Sequence, residues 1–218
     1  MRTLLWILIC ALLVLPASLA KENFLTSDGL LTLGGAGADW GGEDRVLGLL
    51  DLNLELRSKN RDVVHFYIGA ENLFGYGAMR DDLDQQHGAL DLFPYLGMDL
   101  ALPRQSPISI VLKPKLGYGY SLVPGYLQHD TEENFHTYRW GLAGALALNH
   151  LTVARSVLLE AEYSRYAQHY AYHFLTTRLF YVPYDTYEAS MGAGVCLVFH
   201  HIRNKKFSLT GGGIGLTF

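Results

Sequence analysis

The chain is short of cysteine, of net charge and, past its first residues, of long apolar runs. It has only two cysteines. Cys10 lies in the N-terminal apolar stretch and Cys196 near the end, so no internal disulfide can staple the mature protein. Cys196 reads as a small packing residue. Charged residues make up 17% of the chain, with 17 lysines and arginines against 21 aspartates and glutamates. A chain without a basic excess has no footing as a nucleic-acid binder, which needs a cationic face to meet phosphates. No glycine-rich phosphate loop, zinc spacing or nucleophile elbow appears. Gly34-Gly35-Ala36-Gly37 sits on a strand pattern with no helix after it, which removes the nucleotide-binding reading and leaves small residues that permit tight curvature.

Hydrophobic residues make up 50% of the chain, with 14 Tyr, 10 Phe and 3 Trp, and so aromatic a composition excludes disorder. Arg2 is followed by an apolar run from Leu4 to Leu15, then Pro16 and Ala17-Ser18-Leu19-Ala20 before Lys21-Glu22. This is the order of a secretory signal, with cleavage predicted after Ala20. A helix of about twelve residues spans roughly 18 Å, short of the ~30 Å hydrocarbon core. Residues 1–20 are therefore predicted to be a removable signal peptide and 21–218 a single domain. Cys10 lacks a small-residue cleavage pattern before it, which argues against a lipoprotein start.

Beyond the leader no apolar run approaches the ~18 residues of a transmembrane helix. The apolar residues alternate instead. Leu50, Leu52, Leu54 and Leu56 are interleaved with Asp51, Asn53 and Glu55; Ile108, Ile110 and Leu112 lead on to Leu116, Tyr118 and Tyr120 opposite Lys113, Lys115, Gly117 and Gly119. Tyr138, Trp140 and Leu142 alternate with Arg139, Gly141 and Ala143, and Val195, Leu197 and Phe199 with Gly194 and Cys196. Strict alternation puts one face in an apolar medium and the other in a polar or small-residue interior. Soluble sandwich strands usually run to five or six residues, whereas runs of ten to fourteen with aromatics near their ends suit a tilted crossing of a bilayer. Short connections are expected at Ser58 to Arg61, Pro103 to Ser106 and Asn149 to Thr152. Longer ones are expected at Ala38 to Asp44, Gly75 to His87 and Val123 to His136.

The last strand closes on Gly-Ile-Gly-Leu-Thr-Phe, with Ile214, Leu216 and Phe218 in alternation. In this the chain resembles the small bacterial (Gram-negative) outer-membrane β-barrel proteins, over its whole mature length and at the level of architecture. Similarity to the omptins, the lipid A deacylases or the OmpA-like group is no closer than that. The resemblance implies an all-β, transmembrane, antiparallel up-and-down barrel in the cell outer membrane, contact with outer-membrane lipids and lipopolysaccharide, and a C-terminal Phe218 read by the barrel assembly machinery.

Nine strands read easily: 29–37, 46–57, 62–74, 89–102, 107–122, 137–148, 153–166, 186–199 and 206–218. Parity asks for an even number. The tenth is expected at His169 to Tyr181, where Tyr170, Tyr172 and Phe174 alternate with Ala171, His173 and Leu175, ahead of a turn at Val182 to Asp185; an eight-stranded barrel is the alternative. A bulge is expected at Gly211 to Gly213, where the register of Phe207 and Leu209 gives way to that of Ile214 and Leu216. His200 to Lys206 is expected to form an outer turn whose cations meet lipopolysaccharide phosphates.

The interior is expected to hold Asp51, Glu55, His65, Glu71, Asp91, Asp99, Lys113, Lys115, Arg139, Glu160, Glu162 and Glu188. Mixed charges in so narrow a lumen read as a plug of ion pairs rather than a conducting path. The polar loops 75–87 and 123–136 supply carboxylates and imidazoles, Asp84 and His129 among them, which suit a calcium site or a water-activating pair only weakly, since the spacing fits no calcium loop. Ser164 and His169 are the nearest approach to a lipid-facing serine hydrolase pair, without a supporting motif. The expectation is a non-enzymatic barrel with a structural, surface-interaction or adhesion-type role, and no catalytic, cofactor or metal residues are assigned. The rivals are a lipid A modifying hydrolase, an omptin-like protease and a narrow pore.

Overall fold

A computed structural model of the chain describes residues 25–40, 43–58, 64–78, 86–101, 108–122, 135–152, 155–167, 173–183, 194–203 and 207–218. They form ten strands: β1 (Leu25–Trp40), β2 (Glu43–Ser58), β3 (Val64–Ala78), β4 (Gln86–Ala101), β5 (Ile108–Leu122), β6 (Phe135–Thr152), β7 (Arg155–Tyr166), β8 (His173–Pro183), β9 (Gly194–Arg203) and β10 (Phe207–Thr217). Each pairs antiparallel with its neighbours in the chain, and β1 pairs with β10 to close the barrel. Closure leaves no sheet edge to be satisfied, which is what a β-structure in lipid requires.

The ladder register fixes the tilt. Followed around the wall from Thr26, the pairs run through Arg57, Tyr67, Gly97, Lys115, Gly141, Ser164, Phe174, Ile202 and Leu209, and come back to β1 at Ala38 rather than at Thr26. Such a stagger goes with strands inclined by roughly 35–45° to the axis. One rim carries Phe218, held to β1 by reciprocal bonds in which the Gly29 amide donates to the Phe218 carbonyl at 2.8 Å and the Phe218 amide to the Gly29 carbonyl at 3.0 Å. We call it the terminal rim and the opposite one the far rim.

The expected alternation is realised nearly everywhere. Leu31, Leu33, Leu96, Leu116, Leu142, Leu159, Leu197 and Ile214 are exposed on the outside, while Thr32, Asp51, Lys113, Lys115, Ala143, Glu160 and Glu162 are buried inside. Tyr118, Tyr138, Trp140 and Tyr163 lie on the outer face toward the far rim, and Phe66, Tyr181 and Phe218 toward the terminal rim. An apolar band between two aromatic levels is the surface a barrel presents to a bilayer.

The strands overrun the expected loops. Ala38 belongs to β1 and Asp44 to β2, Gly75 to β3, His136 to β6, and Asn149 to Thr152 to β6. The apolar period marks only the part of the wall that meets hydrocarbon, and the ladder continues past it with polar residues. The alternation of short and long connections fails with it: only residues 41–42 separate β1 from β2, whereas 184–193 separate β8 from β9. Segment 186–193 of the expected ninth strand lies outside the described residues. His200 to Arg203 extend β9, so that part of the expected outer turn is wall.

One further expectation is corrected. No bulge occurs at Gly211 to Gly213, where β10 keeps continuous register with both β1 and β9. Phe207 and Leu209 face inward and Ile214 and Leu216 outward, so the two apolar sets are opposite faces of one unbroken strand. The glycines serve close approach: a Cβ on Gly34 would run into the Gly212 carbonyl, and one on Gly211 into Ala36. The irregularity lies instead between Leu148 and Thr152 where β6 meets β7.

Candidate functional site

The interior is where the unusual chemistry sits, and it is filled. Alternation turns the charged residues of several strands inward, so carboxylates and cations meet across the lumen. Lys113 on β5 donates to Glu160 of β7 at 2.8 Å, and Lys115 donates to Glu162 at 2.6 Å and also to Glu71 of β3. Arg178 of β8 spans the same carboxylates, donating from Nη1 to Glu160 at 2.8 Å and to Glu162 at 3.0 Å and from Nη2 to Glu71 at 3.4 Å.

Toward the far rim the network passes to Arg139, whose Nη2 lies 3.5 Å from Glu71. Its Nη1 donates to Asp91 at 2.6 Å, its Nε and Nη2 donate to the Ser164 hydroxyl at 3.0 and 2.7 Å, and the Tyr166 hydroxyl donates to the other oxygen of Asp91 at 2.6 Å. The guanidinium also lies over Phe174 at 4.0 Å and Phe93 at 4.3 Å, a cation–π arrangement that strengthens when desolvated. Beyond it lies an apolar cluster that includes Ala36, Ala38, Leu47, Leu49, Phe174, Ile202, Phe207 and Leu209.

Toward the terminal rim Arg57 bridges Asp28 and Asp99 at 3.0 Å each and Glu55 at 2.5 Å, and the Tyr95 hydroxyl donates to Glu55 at 2.7 Å. Between this group and the central one lies a cavity of about 30 Å³ lined by Asp28, Asn53, Glu55, Lys113, Glu160 and Phe180. A polar void of that size holds a water or two, and the Asn53 carbonyl oxygen, which has no protein partner, is an atom such a water would satisfy. His200 faces inward 3.2 Å from Asp51. A second apolar cluster, including Leu30, Val111, Ala145, Leu158, Phe180 and Val198, holds Cys196 as a buried packing residue.

Asp51, Glu55, Glu71, Asp91, Asp99, Lys113, Lys115, Arg139, Glu160 and Glu162 are therefore all in the interior, as read from the alternation. His65 is in β3 opposite Asp99; Glu188 lies outside the described residues, as do Asp84, His129, His169, the 79–85 part of the first polar loop and 123–134 of the second. Ser164 is not on the lipid-facing wall but inside, 1% exposed and bound to Arg139, where no membrane lipid reaches it. Asp28, Arg57, Arg178 and His200 were not anticipated. Arg57 follows Asp51, Asn53 and Glu55 in step and was available from their period. Arg178 shares the inward face of β8 with Phe174, and His200 lies in the part of β9 that continues past the apolar period.

A closed wall with an apolar exterior and a charge-paired interior defines an integral β-barrel of the outer-membrane type. No family model matches the sequence, and no curated protein matches it. Among solved structures, Neisserial surface protein A is 8% identical over 88% of this chain and 95% of its own, with a TM-score of 0.44. The translocator domain of the autotransporter NalP from Neisseria meningitidis is 9% identical over 93% and 91%, at 0.45, and Pseudomonas aeruginosa OpdQ is 8% identical over 89% and 98%, at 0.30. Likeness at this level goes no further than coarse architecture, and the functional reading rests on the chain's own residues.

Proposed function

We propose that the protein is a plugged, non-enzymatic barrel of the bacterial outer membrane with a structural or surface-contact role. In this reading its termini face the periplasm, its far rim faces outward, and Phe218 is the strand end offered to the assembly machinery. The supporting observation is the ion pairing across the lumen, a network that links Lys113, Arg178, Lys115 and Arg139 through Glu160, Glu162 and Glu71, with a separate group on Arg57 toward the terminal rim. Its described cations are each committed to carboxylates, and such a lumen is braced rather than open. Together with the two apolar clusters the network packs the interior.

Two measurements on cells test the reading. A cysteine at Asn204, in a Cys196→Ala background, should react with an impermeant thiol reagent on intact cells; reaction only after the outer membrane is opened would reverse the orientation. Lipid A mass spectra and whole-cell peptide cleavage should not change with expression. A lost acyl chain or a cut peptide that depends on the protein would replace the structural role with an enzymatic one.

A further inference from the structure

Among the described residues, the outer wall carries a cationic row that breaks its apolar character. Arg165 of β7 stands opposite His173 of β8, His173 opposite Arg203 of β9, and Arg203 opposite Ser208 of β10. Alternation turns all four away from the lumen: Arg203 is exposed, and Arg165, His173 and Ser208 are half-buried. On its other side Arg165 faces Trp140. No carboxylate stands directly opposite either arginine, and among the described residues neither makes an ion pair. Only two strands beyond Arg203 does the row turn acidic, at Asp39 and Asp44. Strands lie about 4.8 Å apart, so the two arginines are rooted roughly 10 Å from one another, within reach of one anion for side chains of their length.

The row has a defined depth. Two residues closer to the terminal rim on the same faces are Tyr163, Leu175 and His201. Tyr163 stacks with Trp140 at 5.7 Å, and its hydroxyl shares a hydrogen bond of 2.6 Å with Nδ1 of His173. That bond fixes the imidazole and leaves Nε2 for a ligand. Aromatics of this kind mark the level where hydrocarbon gives way to headgroups, so the cations stand just where lipid phosphates begin.

We propose that Arg165, His173 and Arg203 form a binding site for the phosphate of an outer-leaflet lipid, with Trp140, Tyr163 and Leu175 meeting the apolar part of the same molecule. Guanidinium groups suit this ligand because they donate in pairs to phosphate oxygens and shed water more readily than an ammonium does. The site deepens the structural reading above and rests on it for the identity of the leaflet. It shares Arg203 with the segment His200 to Lys206, where contact with lipid phosphates is also expected.

The test uses the mature barrel in detergent, where membrane orientation plays no part, so failure here is separate from failure of the cell-surface labelling. Native mass spectrometry would follow retention of a bis-phosphorylated lipid A, the same lipid with its phosphates removed, inorganic phosphate, and a polyglutamate peptide. The phosphorylated lipid should be retained, with retention falling about tenfold or more in Arg165→Gln/Arg203→Gln and unchanged in Asp44→Asn. Equal retention of the dephosphorylated lipid, displacement by millimolar inorganic phosphate, tighter retention of polyglutamate, or an unaffected double variant would each overturn the proposal. If the double variant does not fold, Arg165→Lys/Arg203→Lys replaces it. That variant keeps the charge but loses paired donation, and should hold the lipid less tightly than wild type; equal retention overturns the proposal.

Discussion

Replacing Arg178 by methionine probes the plug at a point where three carboxylates converge. The guanidinium lies 2.8 Å from Glu160, 3.0 Å from Glu162 and 3.4 Å from Glu71, with its side chain 6% exposed. At an effective dielectric of about 20, opposite unit charges 3 Å apart attract by about 5–6 kcal/mol. Desolvation offsets most of this while the pair is intact. Once the cation is gone, three carboxylates share Lys113, Lys115 and the longer contact to Arg139, and at least one is left buried without adequate compensation. Breaking a buried pair in this way costs about 3–5 kcal/mol, a large part of the stability of an ordinary domain. Guanidinium unfolding of the barrel in lipid vesicles, followed by tryptophan fluorescence, would measure it. Adding Glu162→Gln to Arg178→Met should recover part of the loss, because it removes the excess charge. A cost under about 1 kcal/mol, the value of a solvated pair, or no recovery in the double variant, would show that water screens the lumen and would refute the plug.

The wall, the seam and the chain end give three further expectations. Leu197→Arg, at an exposed outer position, should cost about 2–4 kcal/mol in vesicles because it puts a cation in hydrocarbon; a neutral effect would mean that this face meets water. Gly34→Ala should impair closure, since its Cβ would meet the Gly212 backbone, while Gly144→Ala, with open space around it, should be tolerated; heat-modifiable migration on gels reads both, and equal behaviour would contradict the tight seam. Deleting Phe218 should lower the amount of folded barrel in cells, both by losing its bonds to Gly29 and by removing the residue offered to the assembly machinery. Normal assembly of the truncated chain would remove that role.

Much of this architecture is legible in the sequence because lipid imposes a period-two pattern on the wall, and the inward charges of β2, β5 and β7 follow from it directly. The misreadings share one physical cause. Alternation by itself implies apolar outside and polar inside, but the lumen is apolar toward the far rim, so Phe174, Phe207 and Leu209 point inward. On β8 the aromatic Phe174 shares the inward face with Arg178, while Leu175, Leu179 and Tyr181 face out, which hid a central member of the plug. On β10 the same inward apolar set imitated a change of register. His200 reads as part of a turn in the sequence because wall beyond the hydrocarbon level has no apolar period to announce it. The cation row was invisible for another reason: Arg165, His173 and Arg203 are neighbours only through the register of three strands, which no linear spacing records.

The plug is tested most directly by conductance. The purified wild-type barrel in a planar bilayer should show no steady ion current at about 100 mV, because the ion pairs of Arg178, Lys113, Lys115 and Arg139 and the apolar cluster at the far rim occupy the path. Stable conductance steps that grow with salt concentration, carried by the folded protein, would contradict the account and make the interior a pore.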